Sequence, residues 1–296
     1  MTIPSLPDVE TDVLVVGSGA SALTAALTAA EHGARVLVIE TSHCYGGTSA
    51  TSGGVIWIPN NHLIAAAGGS DSKSEALQYV RELVGQDASE ARINAFVDQS
   101  PRMFRFLEEK CGLRFESLER YCDYHPELPG GKPGYRSCQA LAMKSDALGR
   151  DIATLQEPHA GTVAFGRINW TAREAHSLVT QDKSAKTTFI KIMIRYYVDV
   201  RQRWKTTRDR RLTGGGALVA RLMIALKERK VQIRLSTALQ DYIVENGRVV
   251  GAVVSSDGLT QRIRAAKGVI VASGGFERNP QMRAKHLPQP TTTAWA

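Results

Sequence analysis

Residues 12–54 read DVLVVGSGASALTAALTAAEHGARVLVIETSHCYGGTSATSGG, and this stretch predicts the fold of the chain. The apolar run at residues 13–16 is short and β-branched, as expected of a buried parallel strand. A G-x-G-x-x-A turn follows, and then an alanine- and leucine-rich helix that ends at Gly33. Residues 35–39 predict a second strand, with Glu40 at its tip. Strand, glycine turn, helix, strand and terminal acid form a dinucleotide-binding fingerprint in its required context.

The residue types of the turn suit a pyrophosphate. Gly17 permits a tight turn, Gly19 lets main-chain amides approach the phosphates, and Ala22 is small enough for the helix to pack on the strand. Glu40 is expected to accept hydrogen bonds from a ribose diol and to repel a 2′-phosphate. The predicted cofactor-binding residues of this part are Gly17, Ser18, Gly19, Ala20, Ser21, Ala22, Glu40 and Thr41.

A second small-residue loop follows the acid. A plain NAD-binding domain has no need of such a loop, whereas an extended FAD runs its pyrophosphate and flavin past this edge. The loop therefore favours FAD. It adds Gly46, Gly47, Thr48, Ser49, Ser52, Gly53 and Gly54 to the predicted cofactor-binding residues.

Segments spread over nearly the whole chain resemble the FAD-dependent fumarate reductase and 3-ketosteroid dehydrogenase superfamily, and most closely its 3-oxosteroid 1-dehydrogenase branch. The matching segments are VLVVGSGASALTAAL, the E-x5-GGT step, TSGGVIWIPNN (51–61), RLTGGGALVARL (211–222) and GVIVASGGFERNP (268–280). The resemblance implies that main chain at Ala238 meets the adenine ring. It also implies that Ser273, Gly274 and Gly275 approach the cofactor closely.

The resemblance implies non-covalent FAD. Succinate dehydrogenase relatives offer a histidine near the second loop, but residues 48–54 hold none, and His43 lies on the wrong side of the glycine pair. No metal site is expected.

The loop YCDYHPELPGGKPGYRS (121–137) is the segment expected to touch a substrate. Its prolines and glycines predict irregular backbone throughout residues 113–139. In the steroid dehydrogenases a similar loop lines the pocket, and one tyrosine hydroxyl there assists proton removal. The resemblance carries this role to Tyr124, with His125 as the rival.

The predicted fold is α/β: a Rossmann-like FAD-binding domain with a parallel sheet, a β-hairpin at the Asn246-Gly247 turn, and a helical insertion. The expected organisation is a first FAD-binding part (1–70), a mostly helical insertion (71–210) and a second FAD-binding part (211–296). In the resembled family the chain continues into a capping domain. That domain is expected to be absent here, so the sequence predicts an N-terminal half, either a truncated form or a fragment.

Several helix signals lie in the insertion. Ser74 and Ser89 are the predicted caps of two helices, and Pro101 predicts a break or a new first turn in the second. Thr171 and Glu174 have capping-box spacing. The triple glycine at residues 214–216 has two interpretations, a phosphate loop or a close packing step for the helix that follows, and the packing interpretation is favoured.

Composition limits the other possibilities. The 296 residues are 43% hydrophobic, enough for about two domains. The longest apolar runs fall short of the ~18 residues that a membrane span needs. Residues 1–10 are a polar lead-in with no basic segment, unlike a secretory signal. The four cysteines have no metal spacing and predict free thiols in the cytoplasm.

The net charge of +8 is concentrated at residues 183–211, which hold ten Lys or Arg against Asp199 and Asp209. An anionic partner, nucleic acid or a lipid surface, is one interpretation. The apolar residues among the charges recur at helical spacing, which favours the other, an amphipathic helix with a solvated basic face. No nucleic acid partner is expected. The recurring apolar residues are Phe189, Ile192, Met193, Tyr196, Tyr197 and Val200.

The mechanism implied by the resemblance is 1,2-dehydrogenation beside a ketone. A base removes the proton at C2 while hydride leaves C1 for flavin N5, and hydrogen-bond donors stabilise the developing charge on the ketone oxygen. The expected partners are a 3-ketosteroid, an unidentified electron acceptor and a complementing C-terminal half. Two alternatives stay open: a fumarate reductase-like enzyme acting on small acids, and a non-catalytic FAD-binding half-domain.

Overall fold

The computed structural model describes residues 6–294. Half of the predicted lead-in (residues 1–5) and the last two residues of the chain lie outside that range. The chain divides into two compact units. The first comprises the residues up to Thr48 and those from Val231 onward, and the second comprises Ser49–Lys230. The predicted domain boundaries, after residues 70 and 210, differ from the boundaries between the two units, which follow Thr48 and Lys230.

The strands and helices are named in chain order. The strands are β1 Val9–Val16, β2 Val36–Ile39, β3 Val55–Trp57, β4 Phe115–Ser117, β5 Ser137–Ala140, β6 Met143–Lys144, β7 Arg211–Leu212, β8 Gln232–Arg234, β9 Ala238–Glu245, β10 Arg248–Ser256 and β11 Leu259–Val271. The α-helices are α1 Ala20–Glu31, α2 Gly47–Thr51, α3 Leu63–Ala66, α4 Lys73–Val84, α5 Glu90–Glu109, α6 Ala172–Thr180, α7 Ala185–Val198, α8 Val200–Arg203, α9 Gly214–Glu228 and α10 Pro280–His286. Two 3-10 stretches, Ser145–Thr154 and Ala160–Thr162, lie between β6 and α6.

The first unit is built on a six-stranded sheet in the order β8-β2-β1-β11-β10-β9. The neighbouring strands β8, β2, β1 and β11 run parallel, whereas β10 and β9 are antiparallel additions. All four residues of β2 are buried, as are Leu14, Val15 and Val16 of β1. Burial on both faces explains the continuous apolar runs of the sequence. The predicted Rossmann-like parallel sheet is confirmed.

The β9–β10 hairpin turns at Asn246 and Gly247, which have φ of 51° and 76°. Both positive values suit a two-residue hairpin turn of the type that Asn-Gly favours. Ala252 and Val254 of β10 are buried, so the hairpin contributes to the sheet's core. The predicted hairpin is confirmed, with both strands longer than expected.

The second unit holds most of the helices and two small sheets, β3-β5-β4 and β6-β7. The irregular segment predicted at residues 113–139 therefore includes β4 and the start of β5. Ser117 and Gln139 of these short strands are 3% and 1% exposed, and both buried side chains are hydrogen-bonded: the Ser117 hydroxyl donates to the carbonyl of Tyr135, and the Gln139 amide donates to Glu116. The residues between the two strands form a loop, as predicted.

Three helix signals have different outcomes. The capping box of Thr171 and Glu174 is present at the start of α6, which confirms that prediction. The cap of α4 is Ser72 rather than Ser74; its hydroxyl accepts a hydrogen bond from the amide of Glu75 at 3.2 Å. The predicted break at Pro101 is wrong, because α5 runs unbroken through it. Its buried face, which includes Phe104, offsets the amide that proline lacks.

The basic segment forms α7 and α8. Ile192 and Tyr196 are buried and pack with Ala164 and Ile168. Other apolar residues of the predicted stripe remain exposed, including Tyr197 at 58%. The expectation of an apolar stripe with a solvated charged face is therefore only partly met, because apolar side chains also face solvent.

Candidate functional site

The glycine turn of the first unit is defined by a close approach of main chain. Gly17 has φ of +106°, and a Cβ at this position would lie 2.3 Å from the carbonyl oxygen of Ala272. The amide of Ala272 donates to the carbonyl of Val16 at 2.8 Å, which holds the end of β11 beside the turn. Gly17 is thus required by the contact between two neighbouring parallel strands as well as by the turn itself.

Ser18 joins three segments that are far apart in the sequence. Its hydroxyl donates to Oε2 of Glu40 at 2.5 Å and accepts from the amide of Gly46 at 3.0 Å. The side chain is 1% exposed. The serine side chain therefore assembles the turn, the acid and the second glycine loop, while its main chain remains part of the turn.

Glu40 is oriented by its neighbours. Its Oε1 accepts from the amide of Ser42 at 2.9 Å, and its main-chain carbonyl accepts from Thr237 at 2.8 Å. A carboxylate has about four acceptor positions, so both oxygens retain capacity for a diol. The amide of Ser236 donates to the carbonyl of Ser42. Together with the Thr237 contact, this bond holds Ala238 near the segment that follows β2.

The remaining predicted cofactor segments of this unit lie at the carboxyl end of the sheet. The Thr48 hydroxyl donates to Oε1 of Glu277 at 3.1 Å, which links the GGT step to the segment after β11. Ser273, Gly274 and Gly275 are exposed, and Gly274 has φ of +87°. The carboxyl end of parallel strands is where open α/β sheets bind ligands.

These segments fit a dinucleotide. Helix α1 follows Gly19, its N-cap residue with extended backbone, and no acidic residue lies in its first turn. The N-cap residue is a glycine and contributes no side-chain capping bond, and the partial positive charge of a helix N-terminus favours an anionic ligand. Gly47 and Gly274 are exposed, and a Cβ at either position would meet nothing within 4 Å. The main chain there is therefore open to a ligand.

Ser49, Ser52, Gly53 and Gly54 belong to the second unit and pack on the start of α9. A Cβ at Gly54 would lie 2.1 Å from the carbonyl carbon of Gly214, and one at Gly215 would lie 1.8 Å from the carbonyl oxygen of Ser49. The amide of Gly215 donates to the carbonyl of Ser52 at 3.2 Å. The triple glycine thus serves as a packing step, as favoured above, and it opens the helix instead of preceding it.

The tyrosine loop, defined as residues 118–136, presents its aromatic side chains unequally. Tyr124 is 88% exposed, whereas Tyr121 is 39% exposed and its burial raises the pKa of the phenol. The ring of His125 contacts Glu127, with Nδ1 to Oε1 at 3.1 Å. Of the two rival positions, Tyr124 therefore has the more available side chain.

A buried ionic cluster holds the tyrosine loop; its members are Asp71, Asp123 and Arg136. Arg136 donates to both oxygens of Asp71, from Nε at 2.9 Å and Nη2 at 2.7 Å, and from Nη1 to Asp123 at 2.8 Å. The side chains are 0–1% exposed. Burial alone would raise the pKa of the Asp71 carboxyl, but hydrogen bonds from Arg136 and the amide of Asn60 hold it below its ordinary value.

Both residues beside Tyr124 are anchored. Asp123 accepts from Nε1 of Trp57 at 2.7 Å and from the amide of Lys132 at 2.9 Å, and the amide of His125 donates to the Tyr79 hydroxyl at 3.3 Å. A short segment held on both sides presents the side chain between them in a defined direction. The buried ionic cluster therefore supports the exposed position of Tyr124.

Three cavities within the second unit are lined in part by Tyr121, and two of them are mainly apolar. One of about 380 Å³ is lined by Ser52, Gly53, Trp170 and Val179 among others. The other, of about 560 Å³, lies beside Trp57, Phe96 and Tyr124. Both volumes are within the range of small-molecule sites, and both walls are mainly apolar.

Between residues 6 and 294, no three His, Cys, Asp or Glu side chains group closely enough to hold a metal ion. Over the same range, no helix is both long and apolar enough to span a membrane.

Sequence reasoning missed the roles of Ser18, Asp71 and Arg136. The Gly-Ser-Gly sequence of the turn was recognised, but no neighbouring residue indicates that the serine hydroxyl donates to Glu40. Asp71 and Arg136 lie 65 positions apart, and their pairing had no signal in one sequence. Asp123 and Arg136 both lie inside residues 121–137, the segment already singled out, whereas Asp71 lies outside it.

Comparison with known proteins gives a consistent result. Residues 12–296 match the FAD binding domain family. The 3-oxosteroid 1-dehydrogenase of Comamonas testosteroni is 37% identical over 95% of this chain and 49% of its own length. The 4-oxocyclohexanecarboxylate 2-dehydrogenase of Sinomonas cyclohexanicum is 36% identical over 90% of this chain and 43% of its own.

A solved structure is similar over almost the whole chain. The 3-ketosteroid delta1-dehydrogenase of Sterolibacterium denitrificans, in complex with 1,4-androstadiene-3,17-dione, has a TM-score of 0.91 and 40% identity, and the match covers 97% of this chain and 52% of that one. The chain spans about half the length of the curated relatives it matches.

Proposed function

Because the chain belongs to the FAD binding domain family, we propose that it is the cofactor-binding half of an FAD-dependent 3-ketosteroid Δ1-dehydrogenase. The observation that carries the proposal is the assembly of the glycine turn, Glu40 and the second glycine loop around the Ser18 hydroxyl. The identity of 37–40% to steroid dehydrogenases supports a CH-CH oxidation beside a ketone as the proposed reaction.

The proposed cofactor is FAD, held without a covalent bond. The main chain of residues 17–22 and 46–49 would hold the pyrophosphate, and the free acceptor positions of Glu40 would bind the ribose diol. Ala238 is the proposed adenine contact, and residues 52–54 and 273–275 are proposed to approach the rest of the cofactor. Bound FAD supplies an acceptor for the hydride that leaves C1 of the substrate.

Tyr124 is the proposed catalytic residue. Its exposed phenol, held between two anchored neighbours, is suited to assist removal of the proton at C2 and to exchange that proton with a base. A neutral phenol also suits an apolar pocket better than a charged group does, because burying an unpaired charge is costly. The proposed substrate is a 3-ketosteroid, for which the cavities beside Tyr121 supply apolar walls.

The proposal also includes an electron acceptor and a complementing C-terminal half as partners, and the four free thiols favour the cytoplasm. The cyclohexane-ring relative makes a smaller cyclic ketone the second candidate substrate. A fumarate reductase-like activity and a non-catalytic FAD-binding half are the remaining alternatives.

The test is an absorbance spectrum of the purified chain after incubation with FAD, followed by anaerobic addition of a 3-keto-4-ene steroid. We expect a retained band near ~450 nm that bleaches with the steroid. A retained band that ignores both the steroid and 4-oxocyclohexanecarboxylate would leave a cofactor-binding half only. Failure to retain FAD would refute the proposal for this chain.

Tyr124→Phe tests the catalytic assignment. We expect FAD binding to be unchanged and the rate of steroid bleaching to fall about 10²–10⁴-fold, the usual contribution of a positioned acid or base. Tyr242→Phe, at a tyrosine that is 41% exposed in β9, is the matched control and should bleach at the wild-type rate. His125→Gln is the competing variant: a larger loss there than at Tyr124 would exchange the two roles.

A further inference from the structure

Glu277 lies in the turn that follows β11, and its carboxylate contacts two segments of the first unit. Its Oε1 accepts from the Thr48 hydroxyl at 3.1 Å. Its Oε2 lies over the main chain of Gly275, since a Cβ at that glycine would be 2.7 Å from this oxygen. Thr48 and Gly275 both belong to segments proposed above to approach the cofactor. The Glu277 carboxylate therefore joins two parts of the proposed cofactor site.

The main chain of this turn is fixed by hydrogen bonds. The amide of Asn279 donates to the carbonyl of Phe276 at 2.9 Å, and Nη1 of Arg283 donates to the carbonyl of Glu277 at 3.3 Å. The Asn279 side chain then caps α10 by accepting from the amide of Met282 at 3.0 Å. Because the main chain is held on both sides of Glu277, its side chain points in a defined direction.

One oxygen of the Glu277 carboxylate has capacity to spare. No donor among residues 6–294 reaches Oε2, and Glu277 forms no ion pair with them, although two arginines lie close in the sequence. Arg283, one of these, donates instead to the Glu277 carbonyl and to the Thr291 hydroxyl. A half-buried carboxylate with an open oxygen is a strong acceptor for hydroxyl groups.

The order of the strands places Glu277 and Glu40 on opposite sides of the glycine turn. Glu40 follows β2, the glycine turn follows β1, and Glu277 lies after β11; these three strands are neighbours in the sheet. The amide of Gly17 donates to the carbonyl of Ile39 at 2.8 Å, and the Ala272 carbonyl touches the other side of Gly17. The turn thus contacts the ends of both neighbouring strands, with one acid beyond each of them.

We propose that Glu277 binds the hydroxyl groups of the ribityl chain of FAD. The inference rests on the proposed function, in which Glu40 binds the ribose of the ADP half and the glycine turn binds the pyrophosphate. A dinucleotide that crosses the turn from the Glu40 side has its flavin half on the β11 side, where Glu277 lies. The ribityl chain offers hydroxyl donors to a carboxylate, whereas a phosphate would only repel it. Thr48 orients Glu277 through its hydroxyl, as Ser18 orients Glu40.

The test is isothermal titration of FAD and of ADP into the full chain freed of cofactor, because ADP lacks the ribityl chain. For Glu277→Gln, we expect FAD to bind about 10-fold more weakly, since the amide lacks the charge that strengthens these hydrogen bonds, and ADP to bind like wild type. Thr48→Val removes the orienting hydroxyl and should weaken FAD by a smaller factor without affecting ADP. Glu40→Gln should weaken both ligands, because both contain the ribose.

Glu245→Gln is the matched control. Glu245 is an acid of the same unit, but it is exposed in the antiparallel part of the sheet, where it pairs with Arg264. This variant should bind FAD and ADP like wild type. Retained ADP affinity in Glu277→Gln would also show that the first unit is folded. If circular dichroism shows that Glu277→Gln does not fold, Thr48→Val decides by the same comparison of the two ligands.

The outcomes separate this inference from the proposed function. Equal weakening of FAD and ADP in Glu277→Gln would overturn the ribityl contact, and so would unchanged FAD binding. Tighter FAD binding would mean that Glu277 acts only as a repulsive charge, which also overturns it. A wild-type chain that binds FAD no more tightly than ADP would overturn it as well, because the flavin half would add nothing. Binding of neither ligand to wild type would refute the proposed function itself, and the inference with it.

Discussion

The glycine turn of the first unit and the tyrosine loop of the second are both irregular segments, but different forces hold them. The turn is defined by main chain: at Gly17 the carbonyl of Ala272 occupies the space that any side chain would need. The tyrosine loop is held by side-chain charge, since Arg136 binds two carboxylates in a site closed to solvent. The conformation of an irregular segment can thus be fixed in two ways. Either the neighbouring main chain leaves no room for a side chain, or a buried charged side chain binds the segment.

The two mechanisms fail differently. A side chain added at Gly17 must displace neighbouring main chain or abandon the turn. Loss of one charge in the buried ionic cluster leaves partners that are desolvated and unpaired. A substitution at Gly17 is expected to disturb the turn itself. Loss of a charge in the buried ionic cluster is expected to free segments that lie far apart in the sequence. Four predictions use this contrast.

The largest effect is expected for Arg136→Met. The variant leaves Asp71 and Asp123 buried without their cation, which typically costs about 3–5 kcal/mol. Urea unfolding followed by circular dichroism would measure the change. Arg81→Met is the control, because its ion pair with Glu90 is exposed, and we expect little change. Adding Asp71→Asn and Asp123→Asn to Arg136→Met should restore part of the stability; no recovery would count against the cluster as the cause.

Gly17→Ala should destabilise the first unit by about 1–3 kcal/mol, the range for strained backbone at special positions, and should abolish FAD retention. The physical cause is the 2.3 Å contact with the Ala272 oxygen in addition to the positive φ. Gly33→Ala separates the two causes. Gly33 has φ of +80° and nothing within 4 Å of an added Cβ, so it should cost about 1 kcal/mol and leave FAD binding intact. Equal effects at both glycines would contradict the role of the close approach.

Strong acid should weaken the buried ionic cluster. The pKa of Asp71 is lower in the folded protein, so the unfolded chain binds the proton more readily. The contribution of Asp71 to stability is therefore complete above its ordinary pKa of about 3.9 and is lost as the pH falls through the lowered value. Unfolding free energies of wild type and Asp71→Asn between pH 7 and pH 2.5 would converge. A constant difference would show that the Asp71 charge plays no part.

The smallest effect expected concerns the reactivity of two thiols. Burial raises the pKa of the Cys138 thiol to about 12, and its side chain is inaccessible, whereas Cys122 in the tyrosine loop is exposed. With a disulfide reagent at pH 8, we expect Cys122 to react at least about 10³-fold faster, because the thiolate is the reactive form. In Arg136→Met the Cys138 rate should rise, since β5 begins one residue after Arg136. An unchanged Cys138 rate would mean that the cluster does not hold this strand.

Local patterns predicted most of the first unit. The apolar runs of β1 and β2, the glycine turn and the Asn246-Gly247 hairpin were all visible because strand burial and turn chemistry depend on neighbouring residues. The same kind of signal found the capping box of α6. Pro101 was misjudged because the local cost of proline in a helix was outweighed by burial of the α5 face, which a local pattern does not contain.

By itself, the sequence determined the class of fold, the preference for FAD and the family, because the residues concerned follow one another at required spacings. Only the tertiary structure decided that Ser18 joins three loops, that Arg136 holds Asp71 and Asp123, and that the apolar residues of α7 face outward. These outcomes depend on desolvation and on contacts between positions tens of residues apart. A single sequence lists the residues that make such contacts, but it does not show which of them lie next to each other in the fold.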